Sequence, residues 1–279
     1  LMDNGNLHLR ELHPQSHQGV SADAIATLEG IDRRAVDELA LRSQVNAANA
    51  VKNGYFDKSL IPVYRDDGSL ALDRDEYPRP GTTLEALSQL KPAFAALVDS
   101  AINEDGLTYG GLIRKVYPSM DINHVHHAGN SSGVVDGSAA ILLASPAYAR
   151  KQGWKPRAKV VAMANVGDSP TLMLNAPVPA ARKVLEKAGM SRDDIDLWEI
   201  NEAFAVVAEK FIRGMELDRD KVNVNGGAIA LGHPIGMSGA RLVLHLAHEL
   251  KRRGGGLGAA ALCGGGGQGD ALLVRVPKV

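Results

Sequence analysis

The chain has 279 residues, 45% of them hydrophobic and 23% charged, an ordinary globular composition long enough for one large domain or two smaller ones. Its 31 basic and 32 acidic side chains leave a net charge of −1, which excludes a global field for nucleic acid or an anionic membrane. Any cationic site for a phosphorylated ligand must therefore be local. The single cysteine, Cys263, excludes an internal disulfide and a Cys-rich zinc site and fits a reducing, cytoplasmic setting. No window reaches the roughly 18 apolar residues of a membrane span, and the first twenty residues lack the apolar core of a secretion signal.

In chain order, the pattern from Ala22 to Asn53 is helical: Val36, Leu39, Ala40, Ala47, Ala50 and Val51 recur at threes and fours. Asp32 fits an N-cap and Gly54 a stop. Residues 61–94, rich in proline and charge, read as an extended loop excursion. Residues 95–130 read as mostly irregular and close on Asn123-His124-Val125-His126-His127. A stretch that long without clear elements points to function or disorder.

From residue 134 onward helices and strands alternate. Helices are expected over 139–152, 179–189, 203–215 and 238–253, the last with Ser238 as its N-cap. Strands are expected over 159–164, 194–200, 221–225, 258–263 and 269–276. Apolar strands alternating with helices mean an α/β layered domain with a buried sheet. The change of texture divides the chain into domains 1–133 and 134–279.

Two glycine-rich segments hold one reactive side chain each: Gly226-Gly227-Ala228-Ile229-Ala230-Leu231-Gly232-His233-Pro234-Ile235-Gly236 and Cys263-Gly264-Gly265-Gly266-Gly267-Gln268-Gly269. Glycine lets backbone approach a ligand closely. An imidazole is a base near neutral pH, and a thiol becomes one if its pKa is lowered. The bland alternative makes Cys263 a small buried hydrophobe and His233 a hydrogen-bonded loop residue. Gly264-x-Gly266-x-x-Gly269 matches a dinucleotide fingerprint as a string, but no helix and second strand follow it. Gly129-Asn130-Ser131-Ser132-Gly133 matches a hydrolase nucleophile elbow, with Asp194 or Asp196 and His233 as partners in a triad, but no apolar strand precedes it. His124, His126 and His127 have no nearby carboxylate or Cys to complete a recognisable metal spacing.

The combination of Asn201-Glu202-Ala203-Phe204, the run NVNGGAIALGHPIGMSG at 223–239 and the Cys263–Gly269 run closely resembles the thiolases, acetyl-CoA acetyltransferases and 3-ketoacyl-CoA thiolases. SHQGVSADAIA, DEYPRPGTTLEALSQLKPAF and HAGNSSGVVDGSAA resemble the family's loop domain and its junction with the C-terminal half. β-Ketoacyl synthases share the fold but lack this Cys in the last glycine run. The resemblance implies a thiolase-like layered α/β fold with an extended loop domain. It also implies CoA-dependent cleavage of a 3-ketoacyl-CoA, or the reverse Claisen condensation, through an acyl-cysteine.

On this resemblance His233 activates the nucleophile and donates to the thioester oxygen, Asn201 holds a water beside it, Cys263 shuttles the α-carbon proton, and the Gly265 N–H steadies the acyl-enzyme oxyanion. Coenzyme A is a substrate, with no permanently bound cofactor and no metal. Its expected contacts are Arg79, Phe94, Ala128, Ser132, Met173 and Phe204, with His17 near the pantetheine end. The family is expected to form homodimers or homotetramers.

The departures are specific. The family's nucleophilic Cys has no counterpart here, because Cys263 matches the second, acid–base cysteine. The expectation is a C-terminal portion lacking the N-terminal half and inactive by itself. Residues 95–120 read as an insertion, Asn175-Ala176-Pro177 replaces Thr-Gly-Pro, and His127 stands where Thr is common. Two readings of another kind stay open: a serine hydrolase using Ser131, and a non-catalytic CoA-binding protein.

Overall fold

A computed structural model describes residues 5–278. The N-terminal helices are α1 (Leu7–Leu12), α2 (Gln18–Leu28) and α3 (Arg33–Lys52). The single helical pattern at 22–53 is thus two helices. Asp32 caps α3 as expected, its carboxylate accepting from the Ala35 N–H at 2.9 Å, and Gly54 follows with φ +66°.

The proline-rich excursion carries a short hairpin, β1 (Val63–Tyr64) with β2 (Leu70–Leu72), then α4 (Leu84–Ser88) capped by Thr83. The stretch expected to be irregular contains α5 (Tyr109–Val116), capped by Thr108. Both helices are only one or two turns long, too short for periodicity to reveal.

The helix expected over 139–152 is only α6 (Pro146–Lys151). Ser145 caps it and Pro146 opens it. Proline removes a backbone donor and pushes the residue before it out of the helical region, so no helix runs through this point. Residues 134–145 instead carry no regular secondary structure, with Val134 100%, Leu142 79% and Leu143 75% exposed.

The main sheet has the order β3-β6-β5-β4, formed by β3 (Lys159–Gly167), β4 (Leu197–Ile200), β5 (Gly256–Gly264) and β6 (Gln268–Val276). β6 runs antiparallel to both neighbours, and β4 runs parallel to β5. Between these strands lie α7 (Pro177–Ala188), α8 (Ala205–Met215), the single-turn α9 (Ala228–Leu231) and α10 (Ser238–Arg252). The strand expected at 221–225 is a single parallel bridge, Val222 to Trp198, because Asn223 turns into the left-handed region at φ +46°.

Alternation along β5 sorts the two faces. Leu257, Ala259 and Ala261 meet the layer of α7 and α8, while Ala260 and Leu262 meet α10 through Leu242, Leu246 and Leu250. The buried residues of α10 recur at threes and fours, which gives this helix one apolar face against the sheet. Beyond α8 lie α2 and α3. The outcome is a helix–sheet–helix sandwich with a further helical layer, and the candidate residues Asn201 and Cys263 lie just after β4 and near the end of β5.

Candidate active site

Asn201 follows the last residue of β4, and its N–H donates to the Ala261 carbonyl at 3.1 Å, two residues before Cys263 on β5. Across from it, α9 and Gly232 lead to His233, whose N–H donates to the Gly133 carbonyl at 2.9 Å. The side chains of the two meet: Asn201 Nδ2 lies 3.3 Å from His233 Nε2. The other ring nitrogen, Nδ1, lies 2.6 Å from Ser238 Oγ.

Ser238 has one hydroxyl proton, and it goes to the Pro234 carbonyl at 3.0 Å. Its oxygen therefore accepts from Nδ1–H, which leaves Nε2 as the bare, basic nitrogen facing the Asn201 amide. Ser238 was expected to cap α10. It occupies the first turn instead, after Met237, and its hydroxyl fixes the histidine tautomer. Burial, aided by the Arg241 guanidinium, lowers the His233 pKa and keeps the ring neutral. Asn201 is fully buried, and its Oδ1 has no partner among the described residues. An orphaned buried acceptor at this point marks a place for a donor from water or ligand.

Cys263 continues the row of Leu257, Ala259 and Ala261 and pairs with Gly269 across the β5–β6 hairpin. Burial pushes its thiol up to about 11, opposed only weakly by its own backbone. The sequence reading needed a lowered pKa. In this protein the thiol is instead neutral at physiological pH, suited to giving a proton before taking one. Gly265 is exposed at the tip of the same hairpin, where its carbonyl accepts from Gln268 at 3.4 Å.

Of the residues expected to meet CoA, several form one aromatic cluster. The Phe94 ring centroid lies 5.6 Å from His17 and 5.8 Å from Phe204. Phe94 packs so closely on the start of α2 that a Cβ at Gly19 would come within 2.4 Å of its ring. Ser132 ties this group to the segment after β4, since its N–H and hydroxyl both donate to the Ala203 carbonyl at 3.0 and 2.9 Å. Others stand apart. Arg79 is exposed, with its guanidinium 5.6 Å from the Tyr77 ring centroid and its N–H donating to Gln44. Ala128 is exposed, and Met173 is buried in the core with φ +56°.

The hydrolase triad does not assemble. Both ring nitrogens of His233 are bonded to Asn201 and Ser238, Ser131 Oγ is buried without a partner among the described residues, and Asp194 and Asp196 bond to Ser191 and Leu257. The three histidines bond to carboxylates that spacing did not reveal. His124 and His126 bond to buried Asp23 at 2.7 Å each, and His127 bonds to Asp37 at 2.8 Å. Asp23 and Asp37 sit on α2 and α3, about a hundred residues earlier in the chain, so no local pattern announces them.

Comparison with known proteins finds one family matching both parts of the chain. A family model described as "Thiolase, N-terminal domain" matches residues 4–101, and one described as "Thiolase, C-terminal domain" matches 154–276. An acetyl-CoA acetyltransferase of Cupriavidus necator is 42% identical over 270 residues, covering 96% of this chain and 62% of that protein. A β-ketoadipyl-CoA thiolase of Pseudomonas aeruginosa is 42% identical over 259 residues, 91% of this chain and 58% of that one. The crystal structure of human mitochondrial 3-ketoacyl-CoA thiolase in complex with CoA superposes with a TM-score of 0.80 at 38% identity, covering 92% of this chain and 58% of that one. The expectation of an absent N-terminal half is corrected here, since 4–101 matches the N-terminal domain model. The chain nevertheless spans about 60% of the length of the relatives it matches. Among the described residues no helix is long and apolar enough to cross a membrane.

Proposed function

This chain belongs to the thiolase family, and on that premise we propose that it supplies the acid–base half of an acyl-CoA C-acyltransferase site. The reaction is CoA-dependent cleavage of a 3-ketoacyl-CoA or the reverse condensation. The observation that carries the reading is the His233 imidazole clamped between Ser238 and Asn201, with Nε2 basic and the Asn201 Oδ1 unpartnered beside it.

In cleavage, a cysteine thiol outside these 279 residues gives its proton to His233 Nε2 and attacks the 3-keto carbon. The carbon–carbon bond breaks, and the α-carbanion takes the Cys263 proton. The departing thioester's oxygen accepts a hydrogen bond from His233 Nε2–H while this carbanion forms. The incoming CoA thiol then returns a proton to Cys263 and attacks the acyl-enzyme carbonyl. The tetrahedral intermediate collapses to acyl-CoA, expelling the nucleophilic cysteine thiolate, which takes its proton back from His233. A water on Asn201 Oδ1 is the second donor, and the Gly265 N–H serves the acyl-enzyme stage. Such a donor is worth about 10²–10³ in rate. The cluster of His17, Phe94, Ser132 and Phe204 lines the pantetheine path, with the exposed Arg79 and Ala128 as outer contacts and the buried Met173 as an inner one. We also place the domain boundary between 133 and 134, the protein in the cytoplasm, and the complete assembly as a homodimer or homotetramer.

The test isolates one step. The purified chain is incubated with acetyl-CoA in D₂O and the α-carbon is followed by mass spectrometry. Deuterium enters slowly near neutral pH and faster as pH rises toward 11, because the resting Cys263 thiol must first lose its proton, and entry is lost in Cys263→Ala. CoA binding without exchange overturns the catalytic reading in favour of a binding protein, and absence of CoA binding overturns both.

A further inference from the structure

Glu202 is the residue after Asn201, and it is buried, as are Asn201 and the nearby Glu199. Its carboxylate takes three donors from three places in the chain. Oε2 accepts from Ser43 Oγ on α3 at 2.6 Å and from the Ile229 N–H on α9 at 3.1 Å, and Oε1 accepts from Asn223 Nδ2 at 2.7 Å. Asn223 in turn brackets the end of β4, its Oδ1 accepting from the Ile200 N–H at 2.8 Å and its Nδ2 donating to the Ile200 carbonyl at 2.9 Å. Ser43 Oγ also accepts from the Gly227 N–H at 3.0 Å. Space is as tight as the bonding: a Cβ on Gly227 would lie 2.3 Å from the Glu202 carboxyl carbon, and one on Gly226 would lie 2.6 Å from the Ser43 carbonyl.

One carboxylate therefore grips both strands of chain that deliver the site. On one side is the end of β4, which carries Asn201. On the other is the 226–231 segment, which leads within two residues to His233. We propose that Glu202 is a positioning residue that holds Asn201 Nδ2 in register with His233 Nε2. The proposal rests on the reading of His233 as the site's base.

The donor pattern makes it specific. Every partner of Glu202 donates, so the position requires an acceptor on both oxygens. Glu202→Gln keeps the size but turns an amide N–H₂ toward Asn223 Nδ2 or toward Ser43 and Ile229. Asn223 cannot flip to accommodate it without breaking both bonds to Ile200. Other charges face the same interior: Arg241, Glu199 and Glu249.

The experiment is an NMR titration of the His233 imidazole in the ¹⁵N-labelled chain, assigned by the signal missing from His233→Ala. The Asn201 N–H on bare Nε2 stabilises the neutral ring, so loosening it moves the midpoint up. Removing the Glu202 negative charge alone moves the midpoint down, so direction separates positioning from electrostatics. Glu202→Gln is expected to raise the midpoint, by less than Asn201→Ala because the lost charge opposes the rise, with the double variant going no further than Asn201→Ala. A midpoint unchanged or lowered in a folded Glu202→Gln chain overturns the proposal. Should that variant fail to fold, Ser43→Ala removes one donor and is expected to give a smaller upward shift, and an unmoved midpoint there overturns it equally. The titration contains no acyl-CoA, so failure of the exchange experiment and failure of this one are separable.

Discussion

The raised Cys263 thiol leads to a measurable dependence of stability on pH. Desolvation pushes the folded thiol up to about 11 from an ordinary 9.0, since it is partly buried on the α7–α8 side of β5 and no cation among the described residues offsets this. A thiol raised in the folded state contributes stability that is fully present below pH 9 and is lost as pH rises through 11, since the unfolded chain releases its proton first. Two pH units at 1.36 kcal/mol each make this on the order of 3 kcal/mol. The control is Cys263→Ala, which has no thiol to titrate and shares every other alkaline group. Urea unfolding of both proteins at pH 8, 9, 10 and 11 should show the stability difference shifting against the wild type by that amount, almost all of it above pH 9. Iodoacetamide gives a second readout. At pH 8 the thiolate is about 0.1% of the thiol in place of about 10%, so alkylation should run roughly 100-fold slower than for a free cysteine. A pH-independent difference between the two proteins, or an alkylation midpoint at 9 or below, refutes the assignment of Cys263 as a neutral proton donor at rest.

Three more outcomes follow from the packing and capping. Gly227→Ala forces a methyl group onto the Glu202 carboxylate and should cost about 1–3 kcal/mol, read as a fall in the urea midpoint. Asp32→Ala removes the cap of α3 and should cost about 1 kcal/mol, with Asp32→Ser restoring most of it. Glu249 is buried, which alone would raise its pKa, but donors from Arg252, Arg253 and Asn225 outweigh this and bring it down to about 2. Its stabilisation is present above pH 4.5 and lost as pH falls through 2, on the order of 3 kcal/mol, so wild type and Glu249→Gln should converge in stability over that acid range.

What the sequence discloses follows from how local each cause is. Asp32 and Gly54 punctuate α3 because a cap acts within four residues. β5 and β6 are legible because both carry unbroken apolar runs at the end of the chain, which a buried sheet requires. The 139–145 run looks helical because Ala, Ile and Leu suit that period, and Pro146 is the one local marker against it. Lys221–Asn225 looks like a strand from its alternating Val222 and Val224, yet Asn223 spends its side chain on Ile200 and bends the backbone instead.

The site divides along the same line. That His233 and Cys263 carry chemistry is visible in the bare backbone around each, but their protonation is set by groups the sequence places elsewhere. The tautomer of His233 depends on whether Ser238 gives its proton to Pro234 or to the ring, a question of folded geometry within one loop. The state of Cys263 depends on desolvation at the end of β5, offset by no cation among the described residues, which only the assembled sheet decides. Glu202 shows the limit most clearly: Ser43 lies 159 residues away and Asn223 21, so with Glu199 and Asn201 the carboxylate reads as one of three polar residues in an otherwise apolar stretch. A charge in such a run is itself the signal, because burying it without donors costs more than a fold of marginal stability tolerates. Its partners must therefore be supplied by distant chain, and the segments so recruited are the ones that carry Asn201 and His233.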